Sequence, residues 1–157
     1  MDNGTKQEFI RRITQSNRSQ LLLVTFDICL TYVEEAEQCY GQEDWEGYRD
    51  ALRNADQCVA RLQDTLNFQY DISAQLYPLY SFCRGSLMSA LYQRRTEGIG
   101  HAKGVLTQLQ AAFEQAAQQD TSEPLMQNTQ QIYAGMTYGK KQLNEDYREP
   151  DSRGFFA

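Results

Sequence analysis

One stripe of apolar residues constrains the fold of this chain more than any other feature. Between residues 45 and 66, apolar side chains recur at intervals of three and four positions. This spacing places them on one face of an α-helix whose other face is polar. Because such a helix must bury its stripe against other elements, we expect it to belong to a packed helical domain. The stripe consists of Trp45, Tyr48, Leu52, Ala55, Val59, Leu62 and Leu66.

Three other stretches carry the same helical signal. Asn17 and Gln20 have the spacing of a capping box, which predicts a helix over residues 18–40. Apolar residues at helical spacing predict further helices over residues 74–95 and 97–119. Short links between consecutive helices make them antiparallel neighbours, so the sequence predicts an all-α fold, an antiparallel up-down-up-down four-helix bundle.

Residues that favour helix ends refine these limits. We expect Gly41 to end the first bundle helix, Asp71 and Ser73 to cap the third, and Thr96 to cap the fourth. Pro78 lacks a backbone donor, which predicts a kink or a late start in the third helix.

The chain therefore divides into three parts. Residues 1–16 form an N-terminal arm, in which Phe9, Ile10 and Ile13 share one helical face. Residues 17–120 form the four-helix bundle domain. Residues 121–157 form a C-terminal extension, predicted to be a short helix with Leu125, Ile132 and Tyr133 on one face, followed by an irregular tail.

Charge and hydropathy exclude several classes of function. The net charge of −6 argues against nucleic-acid binding, which needs a clustered basic surface. No run of about 18 apolar residues is present, so we expect no membrane span. The opening residues lack the pattern of a signal peptide, and we therefore expect a cytoplasmic protein.

The sequence offers little for catalysis or metal binding. His101 is its one histidine, and the predicted core stripes hold no acidic residues. The four cysteines show no CxxC spacing and lie in helical patterns, which favours small buried thiols. We therefore predict no enzymatic activity, no catalytic or metal-binding residues and no cofactor.

Small residues form a pattern of their own on the third and fourth bundle helices. Gly85 and Ser89 can be paired in antiparallel register with Gly104 and Gly100. Two interpretations are open: the two faces meet and let the backbones approach closely, or they form a shallow trough for a partner helix. The regular pairing favours the first.

Two runs resemble the flagellin export chaperone family FliS. The family's first bundle helix is similar to the run SNRSQLLLVTFDICLTYVEEA, which contains the aromatic-acid pair Phe26-Asp27. The family's junction between its second and third bundle helices is similar to the run LNFQYDISAQLYPLY. The similarity covers about residues 9–117. Phe9 lies close to a position where the family's arm usually carries a tyrosine, and Arg84-Gly85-Ser86-Leu87 replaces a frequent Tyr-Arg-Arg-Leu run.

The resemblance implies a chaperone that binds the C-terminal segment of flagellin, prevents its premature polymerisation and keeps it competent for secretion. Other flagellar export or regulatory proteins are further expected partners. Binding would be helix-in-groove capture coupled to folding of the client. The alternative is a helical-bundle scaffold or regulatory adaptor that binds another protein helix and is unrelated to secretion.

The candidate partner-binding residues combine the arm with apolar and basic positions on the first and third bundle helices. Some of them must belong to the core, and the sequence does not divide core from groove. We expect the arm to shield part of the groove until the client displaces it. The candidates are Phe9, Ile10, Ile13, Leu22, Phe26, Tyr77, Tyr80, Arg84 and Leu87.

Overall fold

The fold is all-helical over residues 1–126, the part that the computed structural model describes. Leu125, predicted to lie on the short C-terminal helix, is not helical, and the other two residues of that prediction, Ile132 and Tyr133, lie outside the described residues. Within them the helices are α1 Asn3–Thr14, α2 Arg18–Gly41, α3 Trp45–Asp64, α4 Asp71–Gln93 and α5 Glu97–Ala117.

Helices α2 to α5 form a ring in which α2 and α4 each contact α3 and α5. Neighbours run antiparallel, because residue numbers rise along one helix as they fall along the next. Between α2 and α5, for example, Phe26 contacts Phe113 near one end, and Lys103 pairs with Glu37 near the other. The structure confirms the predicted antiparallel bundle, and α1 packs outside the ring on α2.

The core lies inside the ring and takes residues from all four helices. Most of the predicted α3 stripe faces it, with Leu52, Ala55 and Val59 fully buried, whereas Trp45 at its start is 38% exposed. The hydroxyl of Tyr48, also buried, donates to the carbonyl of Ala90 at 2.8 Å, which ties α3 to the end of α4. Cys29, Cys58 and Cys83 are buried free thiols, as predicted, whereas the free thiol of Cys39 is only half-buried.

The predicted side-chain cap is present at the start of α2 but not at the starts of α4 and α5. Asn17 caps α2 through the predicted capping box with Gln20. At α4, however, the N-cap is Tyr70, without a side-chain bond, and Asp71 is already helical. The Ser73 hydroxyl instead donates to the carbonyl of Asn67 at 2.7 Å, which braces the α3–α4 link. Thr96 occupies the N-cap of α5 but makes no side-chain cap bond.

Pro78 does not delay the start of α4, which begins before the predicted Ala74 and continues through the proline. Ala74 and Pro78 are both exposed, so water can satisfy the carbonyl that the proline leaves without a helical donor.

Gly41 is the last residue of α2, and the left-handed residue that turns the chain toward α3 is Glu43, with φ of 58°.

The predicted close approach of α4 and α5 along Gly85 and Gly104 is wrong. An added Cβ would find no atom within 4 Å at either glycine, nor at Gly100. The backbones meet instead at Gly98, where an added Cβ would lie 2.2 Å from the carbonyl oxygen of Ser86. The stripe of small residues therefore faces solvent, and a different glycine sets the helix spacing.

The segment after α5 turns back onto the junction between α1 and α2. The side-chain amide of Asn17 donates to the carbonyl of Ser122 at 3.1 Å, and the backbone N–H of Leu125 donates to the carbonyl of Ser16 at 3.0 Å. Asp120 accepts from the hydroxyls of Ser122 and Ser19, and these bonds lower the pKa of its carboxyl to about 2. We call residues 120–126 the strap.

The contact at Gly98 makes a testable prediction. Gly98→Ala should destabilise the bundle by about 1–3 kcal/mol, because the new methyl group would clash with the backbone carbonyl of Ser86 and force α4 and α5 apart. The matched control is Gly104→Ala, in the open middle of the same helix, which should stabilise the protein by about 0.4–1 kcal/mol. Urea unfolding followed by circular dichroism measures both. Equal effects of the two substitutions would show that Gly98 is not the contact that sets the spacing.

Candidate partner-binding surface

Three of the sequence-predicted candidates lie in the core. Phe26, Tyr80 and Leu87 have exposed fractions of 0%, 1% and 0%. The ring of Phe26 lies 6.5 Å from that of Tyr80 and 5.7 Å from that of Phe113, between centroids. Burial raises the pKa of Tyr80 to about 12. A partner can reach these side chains only if the ring of helices opens.

The arm candidates lie at the interface between α1 and α2. Phe9 is buried, whereas Ile10 and Ile13 are half-buried. The guanidinium of Arg12 pairs with the carboxylate of Asp27 and lies 5.7 Å from the centroid of the Phe9 ring. An ion pair between the amino group of Met1 and Glu35 holds the other end of the arm. The arm is therefore docked on α2 through the apolar face that carries Phe9 and through two ion pairs.

Leu22 and Arg84 both have partners within the bundle. Leu22 is half-buried and packs against the core. Arg84 binds the carboxylate of Asp56 at 2.8 Å and 3.2 Å, and it also reaches the side-chain oxygen of Gln63 at 3.3 Å. The hydrogen bond to Asp56 raises the pKa of Arg84. This bidentate pair fixes α4 against α3 and directs the guanidinium along the surface of the bundle.

Tyr77 is the most exposed of the candidates, with 47% of its surface accessible. It belongs to a group that we call the aromatic corner, where α3 ends and α4 begins. The other members are Phe68, Tyr70 and Ile72, all more than half exposed. The centroids of the Phe68 and Tyr77 rings are 5.9 Å apart, so the exposed rings form one surface.

A second exposed apolar surface follows along α4. Phe82 and Leu79 are 49% and 39% exposed on the side of α4 that faces away from α3. A shallow pocket of about 390 Å³ opens beside Phe82, with Gly85 and Ser89 on α4 and His101 on α5 among its lining residues. We call Leu79, Phe82 and this pocket the α4–α5 groove.

The candidates chosen from the sequence do not include the exposed residues Phe68, Tyr70, Ile72, Leu79 and Phe82. Helix α4 is apolar on two sides, so its periodicity does not reveal which side lies inside. The signal in the sequence that marks the groove is the stripe of small residues, for which regular pairing alone favours helix packing. Their exposure, next to Phe82, favours the trough interpretation instead.

Side chains that could ligate a metal ion are not grouped in the part of the chain that the structure describes. His101 is exposed and lies against the ring of Phe82, with 6.4 Å between centroids. Among residues 1–126, no three His, Cys, Asp or Glu side chains are grouped to hold a metal ion. Nor is any helix within those residues long and apolar enough to cross a membrane.

Comparison with known proteins places this arrangement in a family. The family model described as "Flagellar protein FliS" matches residues 1–120, from the arm to the end of the bundle. The chain belongs to the FliS family. A relative from Bacillus subtilis (strain 168), named "Flagellar secretion chaperone FliS", is 23% identical over 111 residues, covering 71% of this chain and 84% of that protein. The FliS match confirms the resemblance seen in the sequence, and it ends where the strap begins.

Proposed function

We propose that this chain is a flagellar export chaperone that binds the C-terminal segment of flagellin, prevents its premature polymerisation and keeps it competent for secretion. Family membership supports the chaperone role, since the Bacillus relative carries that name. The exposed apolar surface of α4 supports binding to an apolar partner, because a soluble protein seldom leaves such a surface without a use.

The α4–α5 groove is the surface that suits a client helix best. Phe82 and Leu79 lie one turn apart and supply apolar anchors, while Gly85 and Ser89 leave the groove shallow and free of bulky side chains. An amphipathic helix binds such a groove with residues spaced by three or four positions. Small residues let its backbone approach closely.

The groove exists before the client arrives. The Arg84–Asp56 pair holds α4 to α3, and Gly98 packs against Ser86 to hold α4 to α5. A surface fixed in this way loses little conformational freedom on binding, so the ordering cost, about 2–5 kcal/mol or more, belongs to the client. A large wrapped interface offsets that cost, and we propose that the arm and α2 take part in it.

Phe82 tests the groove. Phe82→Ala should weaken binding of a flagellin C-terminal peptide about tenfold, equivalent to about 1.4 kcal/mol, because it removes a central aromatic anchor. The matched control is Tyr92→Ala, which removes a more exposed aromatic residue about 15 Å further along the same helix. Isothermal titration calorimetry gives both dissociation constants.

Tyr92→Ala should leave the affinity close to that of the unchanged protein. Equal losses in the two variants, or no loss in Phe82→Ala, would exclude the groove as the main site.

A peptide of the same composition in scrambled order separates a flagellin chaperone from a general adaptor. The chaperone should bind only the native order.

The arm offers a separate test. If α1 covers a client site on α2, removal of residues 1–15 should tighten binding of the same peptide and increase nonspecific aggregation. Phe9→Ala should give a smaller effect in the same direction, since Phe9 is the buried contact of the arm. The control Glu8→Ala alters only an exposed ion pair with Arg11 and should change nothing.

Calorimetry and light scattering measure these effects, with circular dichroism to confirm the fold. Unchanged or weaker binding by an intact truncated protein would refute shielding, and the arm would then be inert or itself a contact.

A further inference from the structure

The aromatic corner is the most exposed apolar group in the described part of the chain. Phe68 and Tyr70 are 64% and 66% exposed, and Ile72 is 56% exposed. These side chains lie on the link between α3 and α4 and on the first turn of α4, outside the α4–α5 groove. A contiguous apolar patch of this kind marks a contact with another protein segment.

The strap brings the chain's own C-terminal extension to the same end of the bundle. Helices α2 and α4 are both antiparallel to α3, so they begin at the same end. The hydrogen bond from Leu125 to Ser16 places the strap beside the start of α2. Leu125 and Met126 are 58% and 41% exposed there, and the chain continues from them to residue 157.

The length and composition of the extension suit the distance to the corner. Because α2 and α4 are diagonal in the ring, about 13 Å separates their ends for helix spacings near 9 Å. Five extended residues span about 16 Å, and residues 127–131 are five polar residues, QNTQQ. Ile132, Tyr133 and Met136 follow directly and supply the apolar side chains that the corner lacks as partners.

The charges of the two segments are also complementary, since the corner has acidic neighbours and the extension carries a basic pair. Asp64 ends α3 and Asp71 begins α4, and both are exposed beside the corner. In the extension, Lys140 and Lys141 follow the apolar residues within a few positions. A basic pair next to an apolar run can therefore meet acidic groups next to an apolar patch.

We propose that the C-terminal extension folds back onto its own bundle and covers the aromatic corner with Ile132, Tyr133 and Met136. The occupant of this surface is thus a segment of the same chain, outside the part that the FliS model matches. The docking needs no client and leaves the α4–α5 groove open. Its failure would therefore leave the proposed flagellin binding untouched.

Site-directed photocrosslinking of the full chain, without any client, tests this proposal. One variant carries p-benzoylphenylalanine in place of Tyr70, at the corner. The matched control carries it in place of Tyr92, which is 82% exposed at the opposite end of α4. Equal amounts of isotopically heavy and light chains are mixed, so that mass spectrometry distinguishes crosslinks within a chain from those between chains.

We expect crosslinks within one chain from position 70 to peptides containing residues 132–136, and none of these from position 92. Adding Ile132→Asp and Tyr133→Asp to the position-70 variant should abolish them. Three results would overturn the proposal: no crosslink from position 70 to the extension, equal yields from positions 70 and 92, or products that join heavy and light chains. The last would assign the corner to a second copy.

Discussion

The contact of Phe26 with Tyr80 across the ring of helices is the packing interaction on which the other features depend. These residues come from diagonal helices, and both are almost fully buried. Phe113 from α5 adds a third ring. Aromatic groups carry much of the apolar area that a small core can bury. This contact therefore fixes which side of α4 faces inward.

Once Tyr80 faces inward, the other apolar residues of α4 cannot all be covered. Leu76, Cys83 and Leu87 share the inward face, whereas Leu79 and Phe82 stay at the surface. Polar contacts at the rim keep this division stable: Arg84 pairs with Asp56, and Lys103 lies 2.8 Å from Glu37. The exposed surface of α4 is thus a consequence of how the core is packed, and it is held rigid by the same neighbours.

The bundle itself could be predicted from the sequence, because helical periodicity and capping are local signals. The α3 stripe and the Asn17 capping box both appear as expected. The start of α4 was less predictable, since Tyr70 caps it without a side-chain bond and Ser73 braces the link instead.

The candidate surface was harder to predict, for a physical reason. Spacing shows that Gly85 and Gly104 can be level on antiparallel helices, but it does not show how each helix is rotated about its own axis. In the structure both face solvent, and Gly98 makes the close contact. The same ambiguity placed Phe26, Tyr80 and Leu87 among the binding candidates, since a core residue and a groove residue look alike in an apolar run.

The account requires that a client bind the outer face of an intact bundle, and hydrogen–deuterium exchange measures this directly. The full chain would be compared with and without a saturating flagellin C-terminal peptide. We expect slower exchange in the peptides that line the α4–α5 groove, residues 79–89 and 98–107, with exchange in the buried part of α3 no faster than before. Faster exchange in α3 would contradict the account, because it would mean that the client enters by opening the core around Phe26 and Tyr80.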